Sequence, residues 1–292
     1  MKCSMVILNY KDSERAVKLA KRVEVFNTIE HIVIVDNDSQ DGSYESMLQC
    51  KSDKIEIIKA DKNGGFAAGN NIGAKYIVTH YNPEYLLFAN TDTIFEEENI
   101  IRCMEVLNDN PKLGLVSTRM YGPDEQEQKA SYWYPTYKGL LNGLFWTQRK
   151  KWYKQMRKSL SEPKELPPIV GVDYIRGSFM FFRTKALKEA DYFDDHTFLY
   201  FEEPIVCMRL NRKGYKVGLI TDIYYIHDHL EADTNKNAKS IQRYNESMYY
   251  FCKEYLYISL LQRITMRVSM VYSAIEIEIV EVMKKLLKKQ AD

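Results

Sequence analysis

The sequence predicts an α/β fold organised around a parallel sheet, on three observations. Through the first third, short apolar runs alternate with stretches of helical periodicity, the pattern of βαβ units with right-handed crossovers. Acidic, amide or glycine residues follow each run, where open α/β sheets present their ligands. The 292 residues are enough for one large domain, or a domain with an appendage, around a sizeable core.

Met5 to Leu8 is the first strand, closed by Asn9-Tyr10-Lys11-Asp12, and Ser13 to Phe26 reads as the helix after it. Ile32 to Val35 is the second, ending at Asp36-Asn37-Asp38-Ser39. Gln40-Asp41-Gly42-Ser43 then leads into a helix whose N-cap is Ser43 or one of these acids. Ile55 to Ile58 is the third strand, and Asn63 to Gly73 follows it into a helix. Glycines there allow a close backbone approach, and the helix start offers free N–H groups. The stretch lacks the spacing of a dinucleotide fingerprint and the Gly-Lys-Ser/Thr end of a P-loop, so on its own it is a tight strand-to-helix turn. Tyr85 to Ala89 is the fourth strand and stops at Asn90-Thr91-Asp92. An acid in that place fits a ligand site, but also a turn, or the cap of a helix whose first turn suits Glu96, Glu97 and Glu98.

The middle is less regular. Prolines, aromatics and basic residues from Tyr121 to Pro168 read as loops and short elements, before order returns at Val170 to Ile175 and Phe179 to Arg183. After Gly218 there is neither glycine nor proline, and apolar residues recur at helical spacing from Leu261 to Leu286, so the tail reads as one or two long helices. No internal repeat or low-complexity tract is present.

Forty-one basic against 40 acidic residues argue against a general affinity for nucleic acid. Five scattered cysteines without a C-x-x-C pair fit reduced thiols of a cytoplasmic protein. The chain opens directly into a strand with no signal-peptide pattern, and no run suits a membrane span. The expectation is a cytoplasmic protein with a possible peripheral contact to the inner face of the cell membrane.

Taken together, Asn9-Tyr10, Val35 to Ser43, Asn63 to Gly73 and Asn90-Thr91-Asp92 resemble, in order and spacing, the family 2 glycosyltransferases. The similarity covers roughly residues 1 to 260 and is greatest to the branch of rhamnosyl- and galactofuranosyltransferases of bacterial surface polysaccharides. It implies a GT-A fold and inverting transfer from a nucleotide-diphosphate sugar to a saccharide or lipid-linked acceptor. Asp36 would then hold the base with Asn9 and Tyr10 nearby, while Asn63, Gly65, Phe66, Gly69 and Asn70 line the nucleotide. Asp92 would ligate a divalent metal, Mn²⁺ or Mg²⁺, with Thr91 beside it. Carboxylate oxygen suits such ions, and a diphosphate leaving group needs its charge neutralised. Many relatives carry a carboxylate at the position of Asn90, which as a neutral donor suits the ribose or a metal-bound water.

A second constellation is Phe198-Leu199-Tyr200-Phe201-Glu202-Glu203. An inverting transferase needs a general base beside the acceptor hydroxyl, and the family's aromatic-acid-acid signature assigns it to the second acid, here Glu203. Two acids at a helix start also fit capping, and Glu202 suits a structural role. Relatives commonly carry an Asp where this chain has Ile205, and Pro204 is unusual. Tyr174-Ile175-Arg176-Gly177-Ser178-Phe179 matches a family turn near the donor sugar. Arg176 then reaches the diphosphate or stands as a surface arginine. His227, with His229 behind it, lies where many GT-A enzymes place a metal or diphosphate ligand; imidazole suits Mn²⁺ better than Mg²⁺. His31, His80 and His196 have no such support.

Residues 148–158 interleave basic and aromatic side chains, fitting either an anionic bilayer or a solvated face. The apolar stripe near the C-terminus resembles a coiled-coil seam, so a homo-oligomer through those helices is an option. Residues 1–230 are expected to form the catalytic domain, about 1–115 for the donor and 116–230 for acceptor and base, with 231–292 as a helical extension. Rhamnose from dTDP-rhamnose is the first expectation. UDP-sugar-dependent galactofuranosyl, galactosyl or glucosyl transfer, and a non-catalytic scaffold, are the alternatives. A nucleotidyltransferase would place its glycine-rich loop after the first strand, where Asn9-Tyr10-Lys11-Asp12 stands.

Overall fold

The computed structural model describes residues 2–145, 148, 166–228 and 238–289. Four apolar runs form parallel strands, β1 (Cys3–Asn9), β2 (Ile29–Asp36), β3 (Ile55–Lys59) and β4 (Tyr85–Ala89), in the order β3-β2-β1-β4. The sheet continues through β11 (Phe179–Arg183), antiparallel to β4, then β6 (Leu113–Tyr121) and β12 (Lys216–His227), which run parallel to each other. β5 (Thr93–Ile94) closes that edge, antiparallel to β12. With β7 (Glu127–Gln128) on β6 and β9 (Ile169–Val172) on β12, the sheet has ten strands.

The central strands read as continuous apolar runs because both faces are covered. Met5, Ile7, Ile32 and Ile34 pack on Leu19, Ala20 and Val23 of α1 (Ser13–Glu24). Val6, Val33 and Val35 point the other way, against Ala67, Ala74 and Ile77 of α3 (Gly65–His80). The first helix stops short of Phe26, whose N–H returns to the Val23 carbonyl as its ring enters the core. At the start of α2 (Ser43–Leu48) the Asp41 carboxylate accepts the Ser43 N–H at 3.1 Å, but neither Ser43 nor an acid is the N-cap residue. Gly42 takes the cap position at φ +84°, in the left-handed region. α4 (Glu97–Asp109) begins with a reciprocal box in which Glu96 accepts from the Asn99 backbone and the Asn99 side chain accepts from Glu96 N–H.

The irregular middle contains β8 (Ser131–Tyr132) and α5 (Tyr137–Leu144). The run Val170 to Ile175 is not one strand. At Asp173 the carboxylate accepts the Tyr134 N–H at 2.6 Å, and the chain leaves the large sheet so that β10 (Tyr174–Ile175) pairs with β8 instead. α6 (Thr184–Glu189) and α7 (Glu202–Arg212) follow. The tail forms two helices, α8 (Ala238–Glu254) and α9 (Leu260–Lys289). A separate core joins them to the rest through Leu140, Leu144, Ile205, Met248, Phe251 and Met266. All five cysteines are buried free thiols, and no helix among the described residues is long and apolar enough to cross a membrane. The basic run 148–158, apart from Gln148, and His229 lie outside the described residues.

Candidate active site

One edge of the sheet collects the residues that carry chemistry. β1, β2 and β4 end there at Asn9, Asp36 and Ala89. β11 runs the opposite way, so the residues that start it, Gly177 and Ser178, lie at the same edge, and Asn90 N–H donates to the Ser178 carbonyl at 3.0 Å. β12 arrives at His227, paired with Thr93. Asp92 is thereby held from both sides: Asp228 N–H donates to its carbonyl at 2.8 Å, and the Thr93 hydroxyl donates to the Asn90 carbonyl at 2.7 Å. The Thr91 hydroxyl reaches back to Asp12 at 2.6 Å. His227 Nε2 lies 3.3 Å from Asp92 Oδ1, their side chains 7% and 17% exposed. A carboxylate oxygen converging with an imidazole nitrogen is a donor set that fits Mn²⁺.

The second acid comes from α7. Tyr200 and Phe201 both adopt left-handed backbone, at φ 74° and 70°, uncommon for aromatic residues. Packing of the Phe201 ring on Tyr244 and Phe251, with centroids 5.3 and 5.2 Å away, holds that geometry. Phe201 is the N-cap and no side chain caps the helix, so neither glutamate acts as a cap. Instead Glu203 Oε1 accepts the Gly177 N–H at 3.1 Å, and a Cβ on Gly177 would stand only 3.1 Å from that oxygen. Burial raises the Glu203 pKa above the ordinary carboxylate value, held back by backbone N–H donors, Gly177 among them, and by the Arg176 charge. Glu202 is more deeply buried, its Oε2 has no hydrogen-bond partner, and burial followed by the neighbouring Glu203 charge pushes it well above its usual range. A cavity of about 240 Å³ opens beside Glu203, lined by Arg176, Pro135 and the rings of Tyr132, Tyr174, Tyr200 and Tyr244.

At the β1 and β2 ends, Asp36 is 1% exposed. Its Oδ1 accepts from Asn9 Nδ2 at 2.8 Å and from the Ser39 hydroxyl at 2.6 Å, and its Oδ2 from Ser39 N–H at 3.2 Å. Asn9 Oδ1 accepts the Asp12 N–H, so this pair fixes two loops, while Tyr10 beside it is exposed. Asn63 Oδ1 accepts from Gly65 N–H and from Asn37 Nδ2, both at 3.0 Å. Gly65, at φ +89°, lets Phe66 N–H donate to the Phe198 carbonyl at 2.9 Å. The donor-side turn thus rests on the segment that carries Glu203. Gly69 faces Leu8 and Asn70 donates to the Phe66 carbonyl from the buried side of α3, so both sit inside the turn.

The sequence reading missed two features. Asn71 exchanges hydrogen bonds with the Phe193 backbone, at 2.9 and 3.1 Å, and fastens α3 to the segment before α7. Asp194, Asp195 and His196 bring ligand-type atoms within 4.8 Å of one another. The Asp194 carboxylate is already filled, by His196, Tyr250 and Tyr255 hydrogen bonds and by Arg209 at 3.0 Å. It is a structural hub tying α7 to the α8 end, and its only local signal is an acid pair with no periodicity.

Comparison with known proteins decides the identity: residues 6–189 match the family model described as glycosyl transferase family 2, well over half the chain. The chain belongs to glycosyl transferase family 2. Similar members of this family include a low-salt glycan biosynthesis hexosyltransferase, Agl10, of Haloferax volcanii, 26% identical over 82% of this chain and 71% of the relative. Rhamnosyltransferase WbbL of Escherichia coli K12 is 23% identical over 68% of this chain and 73% of its own. An N-acetylglucosaminyl-diphospho-decaprenol L-rhamnosyltransferase of Mycobacterium tuberculosis is 21% identical over 75% and 73%. Among solved structures, a mannosyltransferase of Pyrobaculum calidifontis in complex with GDP-Man and Mn²⁺ matches with a TM-score of 0.57, 11% identity, and coverage of 99% of this chain and 79% of that one. The family 2 chain is a glycosyltransferase with the GT-A fold, its sheet extended by C-terminal helices.

Proposed function

We propose that the chain is a metal-dependent inverting glycosyltransferase that moves rhamnose from dTDP-rhamnose to a saccharide or lipid-linked acceptor during assembly of a bacterial surface polysaccharide. The observation that carries the reading is the Gly177-Ser178 turn. Its first N–H holds Glu203 and its second carbonyl holds Asn90, two residues before Asp92, so the proposed base and the start of the Asn90-Thr91-Asp92 turn flank one point. Two rhamnosyltransferases among the similar relatives, one named for a lipid-diphosphate substrate, support the sugar and the acceptor class.

In this reading Glu203, ionised, takes the proton of the acceptor hydroxyl as its oxygen attacks the anomeric carbon and the bond to the diphosphate breaks. Glu202 stays neutral, which spares Glu203 the repulsion of a second charge. Asp92 and His227 would hold the divalent cation, which when bound neutralises charge on the departing diphosphate. Arg176 adds a fixed positive charge beside Glu203, and Asp36 with Asn9 shapes the base pocket under Tyr10. Residues 1–230 carry this chemistry and 231–292 serve as its helical attachment.

Calorimetric titration with dTDP-, UDP- and GDP-sugars, with and without Mn²⁺, tests the reading. Binding of dTDP-rhamnose should tighten with metal and lose that gain in Asp92→Asn. Glu203→Gln should bind donor normally and fail to transfer. Absence of metal-enhanced binding to every nucleotide-sugar would sink it.

A further inference from the structure

The cavity beside Glu203 stands apart from the donor side of the site. It holds about 240 Å³ and draws none of its lining from the ends of β1, β2 or β4. Part of its wall is a cross-strand pair: Tyr132 of β8 and Tyr174 of β10 lie opposite each other, their rings stacked with centroids 5.1 Å apart and planes 16° apart. Another part joins the segment that carries Glu203 to the C-terminal extension, with Tyr200 set edge to face against Tyr244 of α8 at 5.5 Å and 65°. Residue 244 lies outside residues 6–189, which match the family model. All four rings are half-buried, so each keeps open surface.

Backbone conformation singles out Tyr200. The left-handed geometry of Phe201 goes with a ring only 7% exposed, seated on Tyr244 and Phe251. Tyr200, at φ 74°, buries its ring less and lines the cavity, its hydroxyl 3.0 Å from Ser240 Oγ. A glycine would take that backbone freely, so a ring held there at conformational cost marks a surface with a use.

We infer that this cavity seats the acceptor sugar that becomes glycosylated, that it takes a single uncharged pyranose ring, and that Tyr200 and Tyr244 select it. The inference rests on Glu203 as the proposed base, since the acceptor hydroxyl must reach that carboxylate. The volume falls below the roughly 300–1,000 Å³ of sites that enclose drug-sized ligands, which leaves room for one ring and not two. A pyranose has a face of C–H groups to lay on an aromatic ring, and hydroxyls at its rim for the tyrosine hydroxyls and for Glu203. The charged groups in the lining are Arg176 and Glu203, one of each sign. A carboxylate or phosphate on the acceptor ring would unbalance them and face Glu203.

Saturation-transfer NMR of the full chain with methyl β-D-glucopyranoside, methyl N-acetyl-β-D-glucosaminide, methyl α-L-rhamnopyranoside and methyl β-D-glucuronide reads binding without transfer. Saturation should reach the ring C–H protons of at least one neutral glycoside and bypass the glucuronide. It should be lost in Tyr244→Leu and in Tyr132→Leu, which alter different parts of the wall, and persist in Tyr244→Phe. In transfer assays with the bound glycoside, Tyr244→Leu should raise the acceptor KM at least about fivefold, the size of one aromatic contact, with the donor KM and the Tyr244→Phe values within about twofold of wild type. A Tyr244 that only braces Phe201 would instead lower kcat at an unchanged acceptor KM, and that result overturns the inference. So does saturation of the glucuronide as strong as that of the neutral glycosides, saturation of no neutral glycoside, or saturation indifferent to both leucine variants. Tyr244-dependent binding without any transfer upholds the inference and sinks the role given to Glu203, whereas transfer with an acceptor KM unmoved by both leucine variants sinks the inference and leaves that role in place.

Discussion

Gly65→Ala probes the joint between the donor-side turn and the segment bearing Glu203. Gly65 sits at φ +89°, so any side chain there costs about 1–2 kcal/mol of backbone strain. The added methyl would also fall 1.9 Å from the Phe198 carbonyl oxygen and 2.6 Å from its carbon, distances at which backbone must move. That movement breaks the 2.9 Å bond from Phe66 N–H to the same oxygen, worth about 0.5–1.5 kcal/mol. The sum is a loss of about 1.5–3.5 kcal/mol, readable in a urea titration. Phe198 lies five residues before Glu203, whose carboxylate accepts the Gly177 N–H. A shift of about 1 Å passed along that segment lowers kcat by up to about 100-fold. Gly171→Ala is the control: nothing stands within 4 Å of its added carbon and its φ is not positive, so it should change stability by less than about 0.5 kcal/mol. If Gly65→Ala matched that control in stability and in kcat, the two halves of the site would not be mechanically joined through Phe198.

Asp194→Asn leaves the half-buried Arg209 against a neutral amide and should cost about 3 kcal/mol by denaturant titration. Burial alone would raise the Asp194 pKa, but the Tyr255, His196 and Tyr250 hydrogen bonds outweigh it and the net shift is downward. Its stabilisation is therefore full above the ordinary carboxylate value and lost as pH falls through the lowered one, so wild type should approach Asp194→Asn in strong acid. Glu202 has the opposite sign: burial raises its pKa, the folded state holds the proton more tightly than the unfolded chain, and stability falls as pH climbs from the ordinary glutamate value toward the raised one. Glu202→Gln should flatten that slope above the ordinary glutamate value, and an unchanged slope would place the titrating group elsewhere. Glu203 must be ionised to act, so the acid limb of kcat/KM should lie above the ordinary carboxylate range, and it should vanish with the residual rate of Glu203→Gln. His227→Ala should raise the Mn²⁺ concentration needed for half-maximal donor binding at least about tenfold while leaving metal-free binding within twofold.

Strands whose both faces are buried were legible because nothing polar interrupts them: Val6 and Ile7 serve opposite cores, and so do Val33 and Ile34. The same logic marks the ends of those strands, where Asn9, Asp36 and Asn90 stop the apolar run. What it cannot mark is pairing decided by residues far away. The break at Asp173 exists because Tyr134 N–H, 39 positions earlier, finds that carboxylate, and Asp194 is a hub because Tyr250 and Tyr255 lie 56 and 61 positions later. Nor does a sequence reveal that β11 runs backward, which is what carries Gly177 to the edge where Asn90 ends.

The position of Ile205 shows how those long-range contacts reach function. Relatives of the family that the sequence resembles commonly carry an Asp there. Ile205 is fully buried in the core that joins α7 to α5 and α8, where it packs with Leu140, Met248 and Phe251. An unpaired carboxylate in that core would cost several kcal/mol. The apolar residue therefore belongs to the seat of the C-terminal helices, which also braces Phe201 in its left-handed backbone through Tyr244 and Phe251. Since Phe201 sets the start of α7, the helical extension fixes where Glu203 points. Tyr244, a residue of α8, lines the cavity beside that base together with Tyr200 and Tyr174. If Glu203 is the base, as proposed, the acceptor wall is built partly from the extension, and aromatic faces there, rather than a second acid, are what an incoming sugar would meet.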